Sequence, residues 1–441
     1  MSLRSPSRAS SSGDTAGLID PARSHSSLQR AKGAECWSWW ERTLRSTAHH
    51  SLSQIAIGEL EIHDALGRQI WGASTSDRLR AVVQILDPRA YSSLLFGGSV
   101  GAAEAYVHGW WRSDDLTSLV RLLARNGETL QNLNGLFTWL AGWMRYFSHS
   151  ARSNHLAGSR RNIADHYDLG NDLFHLFLDE TMSYSSGLFA NRETTLAAAQ
   201  LAKIDRLCDL LQLGPGDHLL EIGCGWGALA ARAASKYGCR VTATTISREQ
   251  FAFAQERIEA LGLTGQVDLL LDDYRELRGT YDKIVSVEMI EAVGYEYLDS
   301  YFQQCCRLLR PGGQMALQGI TIADRYEAQY RSSVDFIQQY VFPGGYLPSL
   351  TSICQSLTRT GDFTVARLDN FPRDYARTLA IWRERFQEQH PALRKLGLSE
   401  SSLRLWDYYF SYCEGAFLED QIGLVQMLLT RPGGASHPSR S

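Results

Sequence analysis

The chain has 441 residues, 44% hydrophobic and 21% charged. That globular composition excludes wholesale disorder and allows two or three domains. Lys plus Arg number 44 against 48 Asp plus Glu, a formal net charge of −4, so the basic footprint of a bulk nucleic-acid binder is absent. The eight Cys are scattered with no CxxC pair. This excludes a zinc ribbon or thioredoxin-like motif, points to a reducing cytoplasm, and leaves no metal site expected. No apolar run reaches the roughly 18 residues that span a bilayer, and none follows the first Arg residues as in a secretory signal.

Residues 1–33 are Ser- and Arg-rich and read as a disordered tail. A transit peptide is the alternative, against which Asp14 and Asp20 argue. Residues 34–130 read as a small α+β domain that associates with lipid or membrane. In it Ile55 to Ile62 alternates as a strand, Arg68 to Gly72 is its hairpin mate, and Arg78 to Leu86 is a further mixed segment. Asp114 and Asp115 open an apolar helix that ends near Leu123. Residues 131–160 form a linker. Its segment 136–147 places large apolar side chains, Trp139 and Trp143 among them, at helical spacing. That helix lies either in a membrane interface or between domains.

Residues 161–432 read as the catalytic domain and 433–441 as a tail. From about residue 200 strands and helices alternate, the pattern of a parallel α/β sheet. Strands are expected at His218 to Ile222, Arg240 to Thr244, Val267 to Leu271, Lys283 to Val287 and Gln314 to Ile320. Helices are expected at Trp226 to Tyr237, Ser247 to Leu261 and Tyr297 to Leu309. A turn is expected at Arg310 to Gly313. Thr364 to Leu368 interrupts a helical stretch, and Leu424 to Leu429 looks like a final edge strand.

Leu219 to Gly227 is a strand running into a Gly-rich turn and a helix. As a dinucleotide loop, Gly223-x-Gly225-x-x-Ala228 would want an acid about 20 residues on for a ribose 2′-hydroxyl. The next strand end, Arg240 to Thr245, has none. As a methyltransferase loop, E-x-G-x-G-x-G, it has the acid before the turn, at Glu221. Thr245, Ser247 and Gln250 can then supply hydrogen bonds to ribose or adenine.

The sequence resembles the cyclopropane-fatty-acyl-phospholipid synthases and mycolic acid cyclopropane synthases. The matching segments are His166 to Asp172, Met182 to Ser186, Leu219 to Gly227, Thr245 to Gln250, Val285 to Gly294, Tyr340 to Ser349, Asp374 to Leu379 and Cys413 to Phe417. They keep their order over about 160–430. Gly97 to Trp111 resembles the small N-terminal domain of the phospholipid-acting enzymes.

The resemblance implies a class I, Rossmann-like methyltransferase fold with a seven-stranded, mostly parallel sheet and helical insertions. It implies S-adenosylmethionine as methyl donor and the cis double bond of an unsaturated phospholipid acyl chain as acceptor. The product is a cyclopropane or, in related enzymes, a methyl or methylene branch. Donor-binding positions carried over are Tyr184, Ser185, Leu219, Glu221, Gly223, Cys224, Gly225, Trp226, Gly227, Thr245, Ser247, Gln250, Asp273 and Tyr274. A bicarbonate ion is implied as base, held by Ser186, Glu291, Gln318, Ile320 and Tyr375, with Cys413 lining or supporting the pocket. Ser186 and Gln318 stand where relatives often carry Cys and His. The string Glu288 to Gly294 looks like plant-type synthases and the actinobacterial enzymes that methylate unsaturated fatty acids. The expected setting is cytoplasmic and peripheral to the inner face of the membrane, with a homodimer allowed and no nucleic-acid partner.

Overall fold

The computed structural model describes residues 37–127, 170–360 and 363–433. The two tails, the 136–147 segment and His166 lie outside them.

In the N-terminal part, β1 (Gly58–Asp64) and β2 (Gly67–Ala73) form the expected hairpin, closed by Ala65 and Leu66. β1 also runs parallel to β3 (Arg80–Ile85), which pairs antiparallel with β4 (Trp111–Ser113). Three helices complete the unit. α1 (Trp39–Leu52) starts in a Ser38/Glu41 capping box, and α3 (Leu116–Arg125) is capped by Asp115, as the sequence suggests. Between them α2 (Arg89–Val107) breaks its helical path at Gly98, at φ 56° and ψ −140°. Only glycine adopts that conformation readily.

The larger sheet has seven strands. β5 (His218–Ile222) is flanked by β6 (Arg240–Thr244) and β8 (Tyr281–Val287), with β7 (Val267–Leu270) beyond β6. β9 (Leu309–Ile322) follows β8, and these five are parallel. β11 (Ile422–Thr430) runs antiparallel to β9 and carries β10 (Thr364–Asn370) outside it. The chain steps outward from β5 to β7 and then crosses back to β8. The crevice at the carboxyl ends of β5 and β8 is thus the switch point where open α/β sheets bind ligands.

Three expectations are corrected. Leu424 to Leu429 is an inner strand, because the segment from Thr364 pairs outside it. Arg310 to Gly313 continues the strand as an irregularity in the β8–β9 register. The helix expected from Trp226 starts at α5 (Ala228–Arg232) and ends in a wider π turn over Ala233–Tyr237. The remaining helices used below are α4 (Leu196–Leu210), α6 (Arg248–Ala260), α7 (Pro372–Glu388) and α8 (Glu400–Leu418).

One apolar core joins the two parts: Leu116, Leu119 and Leu122 belong to the same cluster as Trp382, Trp406 and Phe410. α3 approaches α8 so closely that a Cβ at Gly415 would lie 2.6 Å from Val120 Cγ1. Polar ties reinforce the seam. Tyr106 donates to Asp407 at 2.7 Å, Thr117 to Glu414 at 2.8 Å, and Arg121 and Arg125 each pair with Glu419 at 2.7 Å.

Candidate active site

A cavity of about 600 Å3 opens at the switch point. One side is built by the Gly-rich turn after β5. Gly225 sits at φ 51°, in the left-handed region, and nothing lies within 4 Å of where its Cβ would be. The turn therefore presents bare backbone to the cavity. Gly227 serves packing instead: its Cβ would meet Ala254 Cβ of α6 at 2.9 Å.

Of the expected donor positions, Tyr184, Ser185, Glu221, Gly223, Cys224, Gly225, Trp226, Thr245, Gln250, Asp273 and Tyr274 line this cavity. Leu219, Gly227 and Ser247 stand behind the wall. Leu219 is fully buried in β5, and Ser247 caps α6 by accepting from the Gln250 N–H at 3.3 Å. Thr245 donates to Gln250 Oε1 at 2.8 Å, which fixes that side chain against the cavity. Asp273 is clasped by Arg275 at 2.7 Å.

Two buried ionisable groups sit under the turn. Burial pushes the Glu221 carboxyl up to about 8, against the pull of the Lys203 cation. Lys203, on α4, donates to Ser185 Oγ at 2.7 Å. Burial pushes its ammonium down to about 8, opposed by Glu288, Asp179 and Glu221. The sequence reading missed Lys203. The available signal was a lysine on the apolar face of a helix, in a chain with only five.

The other half of the cavity is largely apolar and aromatic, with Ile320, Phe342, Leu379, Tyr409, Tyr412 and Phe417 on its wall. Cys413 lies there too, and burial raises its thiol, so it stays neutral. Three carboxylates face this greasy space: Asp335, near Cys413, and the neighbouring pair Glu288 and Glu291.

Glu288 follows β8 at φ 49°. Its Oε1 accepts from the Ser186 N–H at 2.9 Å and from Gln318 Nε2 at 2.7 Å, and its Oε2 accepts from the Tyr375 hydroxyl at 2.6 Å. Gln318 is oriented in turn by Gln426, whose Nε2 donates to Gln318 Oε1 at 2.8 Å. Tyr375 is steadied by stacking on Phe417, with ring centroids 4.4 Å apart.

Glu291 accepts at Oε1 from the Ile320 N–H, while its buried Oε2 has no hydrogen-bond partner. Burial, and then the charge of Glu288, push the Glu291 carboxyl up to about 8. Burial raises Glu288 as well, countered by Tyr375, Ser186, Gln318 and Lys203.

The structure thus gathers Ser186, Gln318, Tyr375, Ile320 and Glu291 in one place. Ser186 and Gln318 are fully buried behind Glu288 and do not reach the cavity wall. The residue at their centre, Glu288, was not among the expected site residues.

The family model of mycolic acid cyclopropane synthetase matches residues 155–427. The tuberculostearic acid methyltransferase of Mycobacterium tuberculosis is 40% identical over 76% of this chain and 80% of its own length. The cyclopropane-fatty-acyl-phospholipid synthase of Escherichia coli is 37% identical over 84% of this chain and 92% of its own. The crystal structure of the mycolic acid cyclopropane synthase CmaA1 with SAH and CTAB superposes with a TM-score of 0.58 at 33% identity, covering 62% of this chain and 98% of that one. The bare glycine turn, the Glu221 strand end and the carboxylates over an apolar cavity thus stand in a chain that belongs to the mycolic acid cyclopropane synthetase family and is an S-adenosylmethionine-dependent methyltransferase.

Proposed function

We propose that the chain methylates the cis double bond of an unsaturated acyl chain in a phospholipid, and then removes a proton from the transferred methyl group to close a cyclopropane ring. The observation that carries this reading is the neighbouring pair Glu288 and Glu291, facing the largely apolar, aromatic half of the cavity next to the glycine turn.

S-adenosylmethionine, when bound, supplies an electrophilic methyl group on a sulfonium. The residues present fit it. Gly225 leaves room for close approach, Tyr184 and Trp226 give aromatic walls, and Thr245 with Gln250 offers hydrogen bonds. An alkene is a neutral nucleophile, so attack requires no general base and no protein nucleophile. That agrees with the neutral Cys413 thiol.

Methyl transfer places positive charge on the acyl chain. In a cavity with few competing dipoles, an adjacent carboxylate stabilises that charge far more than water would. A carboxylate also accepts the methyl proton. Glu288, held by three donors, carries the negative charge. Glu291, beside it, carries the proton of the pair, because two neighbouring carboxylates do not both ionise readily. Tyr375 and Gln318 position Glu288. No step is routed through bicarbonate, since its expected donors already serve these two side chains.

The acyl substrate is drawn from a membrane. Among the described residues no helix is long and apolar enough to cross one. On this reading the chain works as a peripheral protein at the inner membrane face, its N-terminal domain docking to lipid. A second reading, a methyl- or methylene-branched product from the same substrates, is favoured by the 40% identity to a relative named tuberculostearic acid methyltransferase. In that case a hydride shifts to the cationic carbon before the methyl group loses its proton, which gives an exomethylene; a saturated methyl branch then requires a hydride from a reduced nicotinamide and a reductase of the host. Lipids extracted from a host expressing the chain separate the two. Cyclopropyl proton resonances support the first reading, exomethylene or branch-methyl resonances the second, and unmodified lipids neither.

A further inference from the structure

The anion site implied for bicarbonate has four donors: the Ser186 and Ile320 main-chain N–H groups, the Gln318 amide and the Tyr375 hydroxyl. All four are engaged by the chain itself, three of them by Glu288 and one by Glu291. We propose that the Glu288 carboxylate permanently occupies this anion site, so that the enzyme carries its counter-ion and proton acceptor as a side chain and takes no bicarbonate. The inference rests on the reaction proposed above and names the group that performs its last step.

Three observations support it. The first is convergence. The donors come from the 182–186 loop, from β9 and from α7, and they meet on the two oxygens of one planar carboxylate. A planar carboxylate and a planar bicarbonate present acceptor oxygens with the same geometry to such donors.

The second is charge. A bicarbonate placed here would add an anion beside Glu288 and Glu291, where burial and then the charge of Glu288 already raise Glu291. The third is the backbone. Glu288 is held at φ 49°, a conformation that non-glycine residues rarely adopt. Strain of that kind persists where the side chain has a task.

The step balances without any oxidant or reductant. The new bond joins the methyl carbon to one alkene carbon and leaves positive charge on the other. One C–H bond of that methyl breaks, its electron pair closes the ring onto the cationic carbon, and its proton goes to a Glu288 oxygen. Water receives the proton after the product leaves.

Glu288→Gly tests this directly. Glycine is at ease at positive φ, and its lack of a side chain vacates a carboxylate-sized space ringed by donors. Parental and variant protein, both loaded with SAH, are titrated with 13C-bicarbonate and observed by NMR. Turnover with unsaturated phospholipid vesicles is measured in CO2-free buffer with and without millimolar bicarbonate. The parental protein should bind no bicarbonate and show the same turnover in both buffers. Glu288→Gly should bind it, lose roughly 100-fold in turnover without it, and recover at least about tenfold with it. Glu288→Gln, whose neutral side chain fills the space, should be inactive in both.

Bicarbonate bound by the parental protein overturns the inference, as does parental turnover that depends on it. A Glu288→Gly protein that binds none, or that matches the parental rate in CO2-free buffer, also overturns it. If the parental protein modifies no lipid while the binding contrast holds, the reaction proposed above fails and the anion-site inference stands.

Discussion

At Gly225 the cavity meets bare backbone at φ 51°, with open space where a side chain would begin. Gly225→Val puts a branched group into that space in a conformation β-branched residues avoid. SAH binding should be lost in calorimetric titration while the far-ultraviolet circular dichroism stays parental; unchanged affinity contradicts the placement of the donor. Glu291 gives a second test, through pH. Its carboxyl is raised from 4.5 to about 8, so the native state keeps a proton that the unfolded chain releases. That contribution to stability is complete below about 4.5 and is lost as pH rises towards 8, with a slope of up to about 1.4 kcal/mol per pH unit. Urea unfolding of parental and Glu291→Gln protein across that interval should show the steeper loss in the parent; parallel curves contradict the shift. The Gly-rich turn after β5 and the Asp115 start of α3 were legible because their signals are local in sequence, whereas Ser247, expected to meet the donor, caps α6. Glu288 was not legible. Its role depends on donors at positions 186, 318 and 375, which only the fold brings to one carboxylate.

Among the elements, β5, β6 and α6 fall within a residue of where hydrophobic periodicity places them, because buried parallel strands and capped helices carry their pattern in a few residues. β10 escaped recognition as the sheet edge. Nearly all of it is exposed, so it has no alternating pattern, and its pairing with β11 is irregular between Val365 and Arg367. Without that signal the sequence pattern makes β11 look like the edge. The seam between α3 and α8 is set by the missing side chain of Gly415. Gly415→Ala would force a Cβ to within 2.6 Å of Val120 and should destabilise the protein by about 1–3 kcal/mol. The check is chemical denaturation, and undiminished stability would mean that the two helices separate without cost.

Across the whole molecule, the N-terminal part and the catalytic sheet share a core and also a cavity wall. Ser99, next to the Gly98 break in α2, lines the cavity, and Tyr340 donates to Glu104 of α2 at 2.5 Å. A lipid-docking surface on the N-terminal part would therefore deliver acyl chains close to the site. Trp39 and Trp40 are 76% and 53% exposed and adjacent on α1, and indoles favour the headgroup region of a bilayer. Trp39→Glu with Trp40→Glu should reduce flotation with phospholipid vesicles while leaving SAH affinity unchanged; parental flotation would move the docking surface elsewhere.

The chemistry itself is tested most directly by incubating the purified chain with S-adenosylmethionine carrying a fully deuterated methyl group and vesicles of a cis-unsaturated phospholipid, and then weighing the lipid. The account predicts label on the acyl chain at the former double bond, with one deuterium lost from each transferred methyl group. That loss records the proton taken by the carboxylate pair. Label on the headgroup, or an acyl chain that retains all the methyl deuterium, would contradict it.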